Sequence, residues 1–226
     1  MIVLIDNEHA SGYDKPWGEK IMAARVRIKN RLEDLANTPC LIIRYDRVTP
    51  KLLREVGAKA LFISGNSAAP SDYSEAEQAG LRAALREQAL PTFGFCGGFQ
   101  VMAETYGARL EPIGPLDADA DQDEDSFAPG MKKEVGYLPV RLKGKHDLLD
   151  GLGDAPVFRH AHAWEIKDVP AGFKVYAATE VSPIQMIVHY TLPLMGTQFH
   201  PEYYTDEYPA GRTLIENFLA WSGLTT

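Results

Sequence analysis

The sequence predicts a three-layer α/β/α sandwich on a mostly parallel central sheet, with a small antiparallel addition. Residues 1–106 alternate short apolar runs with helical patterns, which is the rhythm of a parallel sheet covered on both faces. The apolar runs are continuous, as is typical of strands buried on both sides. The 226 residues are 45% hydrophobic, enough for one core, and no linker interrupts them. We therefore expect one domain over residues 1–226.

Four apolar runs in the first half predict strands, and the segments between and after them have helical spacing. The predicted strands are Ile2–Ile5, Cys40–Tyr45, Ala60–Ile63 and Thr92–Phe95. The predicted helices are Lys20–Leu35, Pro50–Val56, Glu75–Leu90 and Gly97–Tyr106. Because parallel sheets bind ligands beyond the carboxyl ends of their strands, we expect the site in the loops after Ile5, Ile63 and Phe95.

The second half of the chain is richer in strands, which could extend the parallel sheet or form antiparallel additions. The predicted strands are Val135–Leu142, Val157–Phe158, Ala163–Ile166, Phe173–Ala178, Ile184–His189 and Met195–Phe199, and Tyr208–Trp221 is a closing helix. Between the halves, Asp117–Asp125 holds six acidic residues in nine. We interpret this insert as a solvated loop rather than a divalent-metal site, since it lacks the glycine turn and spaced ligands of a calcium loop.

Composition argues against nucleic-acid and membrane partners and indicates the cellular compartment. The net charge of −8 and the lack of a Lys/Arg cluster argue against nucleic acid. No apolar run is long enough to span a bilayer, and the first residues do not resemble a signal peptide. The two cysteines, Cys40 and Cys96, have no metal or disulfide spacing, so we expect reduced thiols and a cytoplasmic protein. Cys40 lies in a strand and is assigned to core packing.

Cys96 lies on a predicted strand-to-helix turn and is the candidate nucleophile. Gly94 and Gly98 flank it at −2 and +2, which is the nucleophile-elbow pattern with sulfur in place of a serine oxygen. Bulky side chains at those positions would clash across the turn. A thiol at a helix N-terminus ionises more readily to the reactive thiolate. The backbone N–H of Gly97 is placed to donate to an oxyanion.

His200 is the candidate base. It follows an apolar strand, so it lies at the same sheet edge as Cys96, and Glu202 is near enough in sequence to orient its ring. His160 and His162 are two residues apart, which would suit a metal pair, but no third ligand is evident from the sequence. We expect His162 to line the substrate pocket and His160 to be structural, and we expect no metal.

Two segments together carry a family resemblance. Gly94–Gln100 (GFCGGFQ) and Gly196–Glu202 (GTQFHPE) resemble the class I, triad-type, glutamine amidotransferases. Ser64–Ser67 stands where that family has its oxyanion loop, and 211–218 matches its closing helix. The resemblance covers nearly the whole chain and implies a flavodoxin-like arrangement of the three layers.

The resemblance implies roles by position. Cys96 would be the nucleophile, His200 the general base and acid, and Glu202 the orienting carboxylate. The oxyanion hole would be the N–H of Gly97 with that of Gly65 or Asn66, and Gln100 and His162 would bind substrate. The reaction would form a γ-glutamyl thioester, release ammonia and hydrolyse to glutamate, with no cofactor. Phe99, Asn66 and Ala68–Ala69 depart from the family pattern.

Three functions fit these residues. The leading expectation is a glutaminase that hands ammonia to a separate synthetase, with glutamine as substrate. The second is a stand-alone γ-glutamyl hydrolase or peptidase of the same fold, which would need a roomier pocket and no partner. The third is a non-catalytic interaction module, against which the intact cysteine, histidine and glutamate argue.

Overall fold

The computed structural model describes residues 1–87, 90–116 and 127–225. Twelve strands lie within these ranges: β1 (Ile2–Asp6), β2 (Cys40–Arg44), β3 (Leu61–Ile63), β4 (Thr92–Phe95), β5 (Leu110–Pro112), β6 (Glu134–Pro139), β7 (Arg141–Leu142), β8 (Val157–His162), β9 (Trp164–Ile166), β10 (Phe173–Ala178), β11 (Met186–His189) and β12 (Leu194–Thr197). The helices are α1 (Ala10–Tyr13), α2 (Gly18–Ala36), α3 (Pro50–Glu55), α4 (Glu75–Glu87), α5 (Gly97–Thr105) and α6 (Ala210–Trp221).

Eight strands form the central sheet in the order β2-β1-β3-β4-β12-β11-β10-β7. The first five are mutually parallel, and the last three continue the sheet in antiparallel pairing. The later strands therefore do both of the things that the sequence left open. β12 extends the parallel part of the sheet, and β11, β10 and β7 add to it in antiparallel pairing. Two further antiparallel strand pairs, β5–β9 and β6–β8, lie outside this sheet.

The sheet is covered on both faces, as the continuous apolar runs predict. Successive side chains of β1 point to opposite faces, so Ile2 and Leu4 enter one core while Val3 and Ile5 enter the other. The first core is closed by α2 and α6, and the second by α3, α4 and α5. This is the three-layer α/β/α sandwich expected from the sequence.

Several element boundaries differ from the sequence predictions. The predicted strand Val135–Leu142 is divided into β6 and β7, which pair with different strands. The predicted strand Val157–Phe158 continues to His162, because six residues of β8 pair with β6. The acidic insert Asp117–Asp125 lies outside the described residues. Cys40 is buried in the first core, as predicted. No helix in the described ranges combines the length and apolar content needed to cross a bilayer.

Candidate active site

Three neighbouring parallel strands bring the candidate residues together at one edge of the sheet. β3, β4 and β12 are adjacent, and their carboxyl ends lead into Ser64–Ala68, Cys96 and His200 respectively. Parallel strands place these loops side by side, although residues 64 and 200 are far apart in sequence. The order of strands thus assembles the site that the sequence predicts from three separate segments.

Cys96 occupies a strained turn that its glycine neighbours make room for. Its φ of 48° and ψ of −107° are a conformation that L-residues rarely adopt, at a cost of about 1–3 kcal/mol. A Cβ at Gly94 would lie 2.6 Å from the backbone of Gly98, and one at Gly98 would lie 2.2 Å from Ile63 O. Side chains at these positions would push α5 away from the sheet, so glycine is required at both.

The Cys96 thiol has polar contacts on several sides. Gln198 Nε2 donates to Sγ at 3.6 Å, and Sγ lies 3.9 Å from Ala161 O. The thiol also lies close enough to the His200 ring for the two groups to interact electrostatically. Cys96 is the residue that precedes the first turn of α5, where unpaired N–H groups favour negative charge.

His200 is held by a carboxylate and by a neighbouring strand. Its Nδ1 lies 2.7 Å from Glu202 Oε1, and its backbone N–H donates to Arg159 O at 2.8 Å. Burial alone would lower the pKa of His200, but the charges of Glu202 and Cys96 outweigh it and raise the pKa to about 10. At neutral pH the ring is therefore an imidazolium between a carboxylate and the sulfur.

The loop after β3 presents backbone N–H groups near Cys96. A Cβ at Gly65 would lie 2.7 Å from His200 Cε1 and 3.3 Å from Cys96 Cβ, so the loop passes directly beside both residues. A Cβ at Gly97 would lie 3.2 Å from Asn66 N. Within the described hydrogen-bond pattern, the N–H groups of Gly65, Asn66 and Gly97 have no acceptor. They are free to donate to an oxyanion.

A buried charged cluster, which no sequence pattern indicated, anchors this loop. Glu8 accepts from the backbone N–H of Ser67 at 2.8 Å, and Arg25 donates to Gly65 O at 2.8 Å and to Asp6 Oδ1 at 2.6 Å. Burial raises the pKa of Glu8, although these donors and Arg25 oppose the shift. The position of Asp6 at the end of β1 and of Glu8 just after it was the available signal, because this end of the strand reaches the same sheet edge.

The two expected substrate-binding residues both lie near Cys96, but one polar atom of each, Nε2 of Gln100 and Nδ1 of His162, is already engaged. Gln100 donates through Nε2 to Trp164 O and to Gln198 Oε1, each at 3.1 Å. His162 lines the cavity that Cys96 borders, with its Nδ1 3.1 Å from Trp164 O. Gln198, which links Gln100 to the sulfur, was missed, although it stands inside the quoted motif GTQFHPE.

His160 and His162 are joined by a third polar residue that their spacing in the sequence did not reveal. Glu134 Oε2 lies 3.0 Å from His162 Nε2 and 3.9 Å from His160 Nδ1. Burial raises the pKa of Glu134, but the hydrogen bond and charge of His162 outweigh it, so the pKa is lowered overall. Burial lowers the pKa of His160 to about 3. Only the pairing of β6 with β8 brings Glu134 to the two histidines, and that pairing is not visible in the sequence.

Two cavities border the catalytic candidates. One of about 160 Å³ is lined by Cys96, Gln100 and His162. A larger one of about 390 Å³ is lined by His200 and by apolar side chains that include Trp17 and Tyr203. Both cavities share Asn66, Ser67, Phe127 and Ala161. The site therefore has room for a small group beside the sulfur and for a larger one beside the imidazole.

Comparison with known proteins places these features in a family. The model of the class-I glutamine amidotransferase family matches residues 25–221. A GMP synthase [glutamine-hydrolyzing] of Phenylobacterium zucineum is 30% identical over 216 residues, which are 94% of this chain and 36% of that protein. One subunit of a GMP synthase [glutamine-hydrolyzing] of Methanopyrus kandleri is 31% identical over 134 residues, which are 59% of this chain and 62% of the relative. The chain thus spans roughly a third of the length of the first of these relatives.

Solved structures share the fold across the chain. A Thermoplasma acidophilum protein described as one subunit of a GMP synthase superimposes with a TM-score of 0.71 at 21% identity, covering 99% of this chain and 94% of that one. The glutaminase domain of a Trypanosoma brucei CTPS with bound acivicin gives a TM-score of 0.65 at 17% identity, covering 100% and 95%. At these identities the likeness establishes the fold alone.

Proposed function

The chain belongs to the class I glutamine amidotransferase family, and we propose that its Cys96 hydrolyses the side-chain amide of glutamine through a γ-glutamyl thioester. His200 is the proton carrier and Glu202 holds its ring. The observation that carries the proposal is that the His200 ring, held by Glu202 at 2.7 Å, lies beside Cys96 at the carboxyl edge of the sheet.

In the first step the Cys96 sulfur attacks the amide carbon of glutamine. The carbonyl π electrons move to oxygen, and the N–H groups of Gly97 and of Gly65 or Asn66 stabilise the resulting oxyanion. The thiol proton, held by His200, passes to the amide nitrogen as the C–N bond breaks. Ammonia leaves and a thioester remains on the sulfur.

In the second step water attacks the thioester while His200 accepts one of its protons. The tetrahedral oxyanion uses the same N–H groups, and it collapses to glutamate and the Cys96 thiolate while the proton stays on His200. Glutamine and water are converted to glutamate and ammonia in total. Glu202 stabilises the imidazolium at each transfer, which is the part a carboxylate plays in such a triad.

We further propose that the ammonia is used by a synthetase that lies outside these 226 residues. Relatives are named as GMP synthases or, in some organisms, as one subunit of a GMP synthase, and the chain matches only part of each. Co-purification of the native complex, followed by an assay in which labelled glutamine nitrogen enters a product, tests this proposal. Label that appears only as free ammonia with every candidate synthetase would contradict it.

The thioester gives the direct test of the chemistry. Wild type and Cys96→Ala are mixed with glutamine, quenched in acid and measured by intact-protein mass spectrometry. We expect a γ-glutamyl adduct on the wild type and none on Cys96→Ala. Cys40→Ala is the matched control, because it removes the other, core-packed thiol, and it should keep the adduct. An adduct that persists in Cys96→Ala would refute the assignment.

The larger cavity supports a second candidate function, cleavage of γ-glutamyl amides with bulkier leaving groups. An amine that His200 protonates would leave next to this space, whose lining is largely apolar around Trp17, Ile21 and Tyr203. Turnover of γ-glutamyl anilides against glutamine separates the two candidates. If anilides are cleaved with the higher kcat/KM and without any synthetase, the hydrolase is the better description. If only glutamine reacts, the glutaminase is.

A further inference from the structure

The cluster of Glu134, His160 and His162 is set apart from the catalytic series by its own geometry. β6 and β8 pair antiparallel with Glu134 directly opposite His162, and His160 is two residues along the same strand. Residues i and i+2 of a strand, and residues paired across strands, share a face of the ladder. One ligand atom from each of the three residues lies within 4.8 Å of the others.

The hydrogen bond between His162 Nδ1 and Trp164 O determines where the proton of the His162 ring lies. Trp164 O can only accept, so Nδ1 of His162 carries the proton that joins them at 3.1 Å. In the neutral tautomer this leaves the lone pair of Nε2 pointing at Glu134 Oε2, 3.0 Å away. Two acceptors at this distance repel each other unless a cation, either a proton or a metal ion, lies between them.

A proton on His162 would not account for His160. His160 is fully buried, and within the described residues neither of its ring nitrogens has a hydrogen-bond partner. A buried polar atom without a partner is costly, and native proteins rarely keep one. Its Nδ1 lies 3.9 Å from the same carboxylate oxygen, which is too far for a hydrogen bond but suits two ligands of one ion.

From this we propose that Glu134, His160 and His162 bind a divalent transition-metal ion of the Zn²⁺ type. Two imidazoles and one carboxylate are a usual zinc donor set that leaves a fourth position for water or another oxygen. Bonds of 2.0–2.1 Å in a tetrahedron separate ligand atoms by about 3.3 Å, and the distances of 3.0 and 3.9 Å bracket that value.

The surroundings resemble the second shell of a metal site. The Nδ1–H of His162 donates to a backbone carbonyl, as metal-bound histidines commonly do. Gln185, itself fully buried, donates to Glu134 Oε2 at 2.5 Å and would orient the carboxylate. The Oε1 of Gln185 has no hydrogen-bond partner among the described residues.

A metal ion bound to this cluster would affect catalysis through β8, the strand that carries both histidines. The carbonyl oxygens of Arg159 and Ala161, which alternate with the two histidines along β8, contact the backbone of His200 and the sulfur of Cys96. An ion bound on β8 would therefore fix the strand against which both reacting residues rest. This consequence is separate from the binding itself, which does not depend on the proposed reaction.

Metal content is the test. The untagged full chain is stripped with a chelator, dialysed against Zn²⁺ or Co²⁺, and its bound metal is counted by mass spectrometry. We expect one ion per chain, the visible absorption of four-coordinate Co²⁺, and a rise in Tm with added metal. His160→Gln and Glu134→Gln should each weaken binding at least about 100-fold, since even second-shell changes cost 10–100-fold.

A control histidine guards against non-specific binding. His146→Asn removes an imidazole outside the cluster and can keep the side-chain acceptor for Leu148 N–H, so it should bind metal as the wild type does. Circular dichroism shows whether each variant is folded. If the folded wild type retains neither ion at micromolar concentration, or if His160→Gln binds as tightly as the wild type, the proposal is overturned and the cluster is a protonated buried pair.

Discussion

The Glu202–His200 pair offers the sharpest quantitative test of the active site. Raising the His200 pKa from 6.5 to about 10 corresponds to about 5 kcal/mol of extra stabilisation of the imidazolium, at 1.36 kcal/mol per pH unit. Burial acts against this rise in pKa, and the charges of Glu202 and Cys96 outweigh it, with Glu202 contributing the larger electrostatic part. Glu202→Gln keeps the shape of the side chain and removes that charge.

The sign of the effect on pH dependence follows from the direction of the shift. A histidine whose pKa is raised on folding keeps its stabilising charge below about 6.5 and loses it as the pH rises through about 10. We therefore expect kcat/KM of the wild type to fall above pH 10 as His200 loses its proton. In Glu202→Gln this fall should begin at least about 1 pH unit lower, and kcat should drop by a factor of about 10²–10⁴.

The assay is a set of steady-state pH profiles of glutamate release, measured only where each variant remains folded. Glu207→Gln is the matched control, because it removes the same charge from an exposed position nearby, where water screens it, and its profile should coincide with that of the wild type. If the alkaline fall of Glu202→Gln stays at the wild-type pH, Glu202 does not set the ionisation of His200 and the proposed role is wrong.

Two further substitutions test the loop after β3. Gly65→Ala would place a Cβ 2.7 Å from the ring of His200, so kcat of the folded variant should fall at least about tenfold. The control is Gly114→Ala, whose Cβ would meet nothing within 4 Å, and its kcat should equal that of the wild type. If the two variants have equal kcat values, the loop does not approach His200 as closely as the structure shows. Arg25→Met removes the cation that pairs with two buried carboxylates, so it should lower the free energy of unfolding, measured in urea, by about 3–5 kcal/mol. The control, Arg54→Met, breaks an exposed ion pair and should lower it by less than about 1 kcal/mol. If Arg25→Met lowers the free energy of unfolding no more than Arg54→Met does, the buried ion pairs contribute little to stability.

The parallel half of the fold could be predicted because its signals are local. β1 to β4 are continuous apolar runs bounded by helical patterns, and each needs only its own residues to be identified. The elbow around Cys96 is also local, because glycines two residues away on each side are a steric requirement of one turn. The parallel order then places loops at a common edge, so the neighbourhood of Cys96 and His200 follows from the topology.

The supporting residues could not be predicted because their partners are distant in sequence. Glu8 holds the loop at Ser67, 59 positions away, and Arg25 reaches Gly65, 40 positions away. Neither contact follows from a periodicity or a motif. The division of Val135–Leu142 into β6 and β7 has the same origin, since the two pieces pair with strands on different sheets.

The pair β6–β8 also explains why the reacting groups are not positioned by the main sheet alone. The central sheet determines where β4 and β12 end. Cys96 and His200, which follow these strands, also contact β8, and β8 pairs with β6 outside the central sheet. The backbone N–H of His200 donates to Arg159 O, and Cys96 lies against Ala161 O. A displacement of β8 would therefore move the contacts of both Cys96 and His200, because alternate carbonyl groups of this one strand touch the two residues. Loosening of the β6–β8 pair should consequently change the alignment of Cys96 and His200 before it unfolds the sandwich, whose two cores are packed largely by other elements.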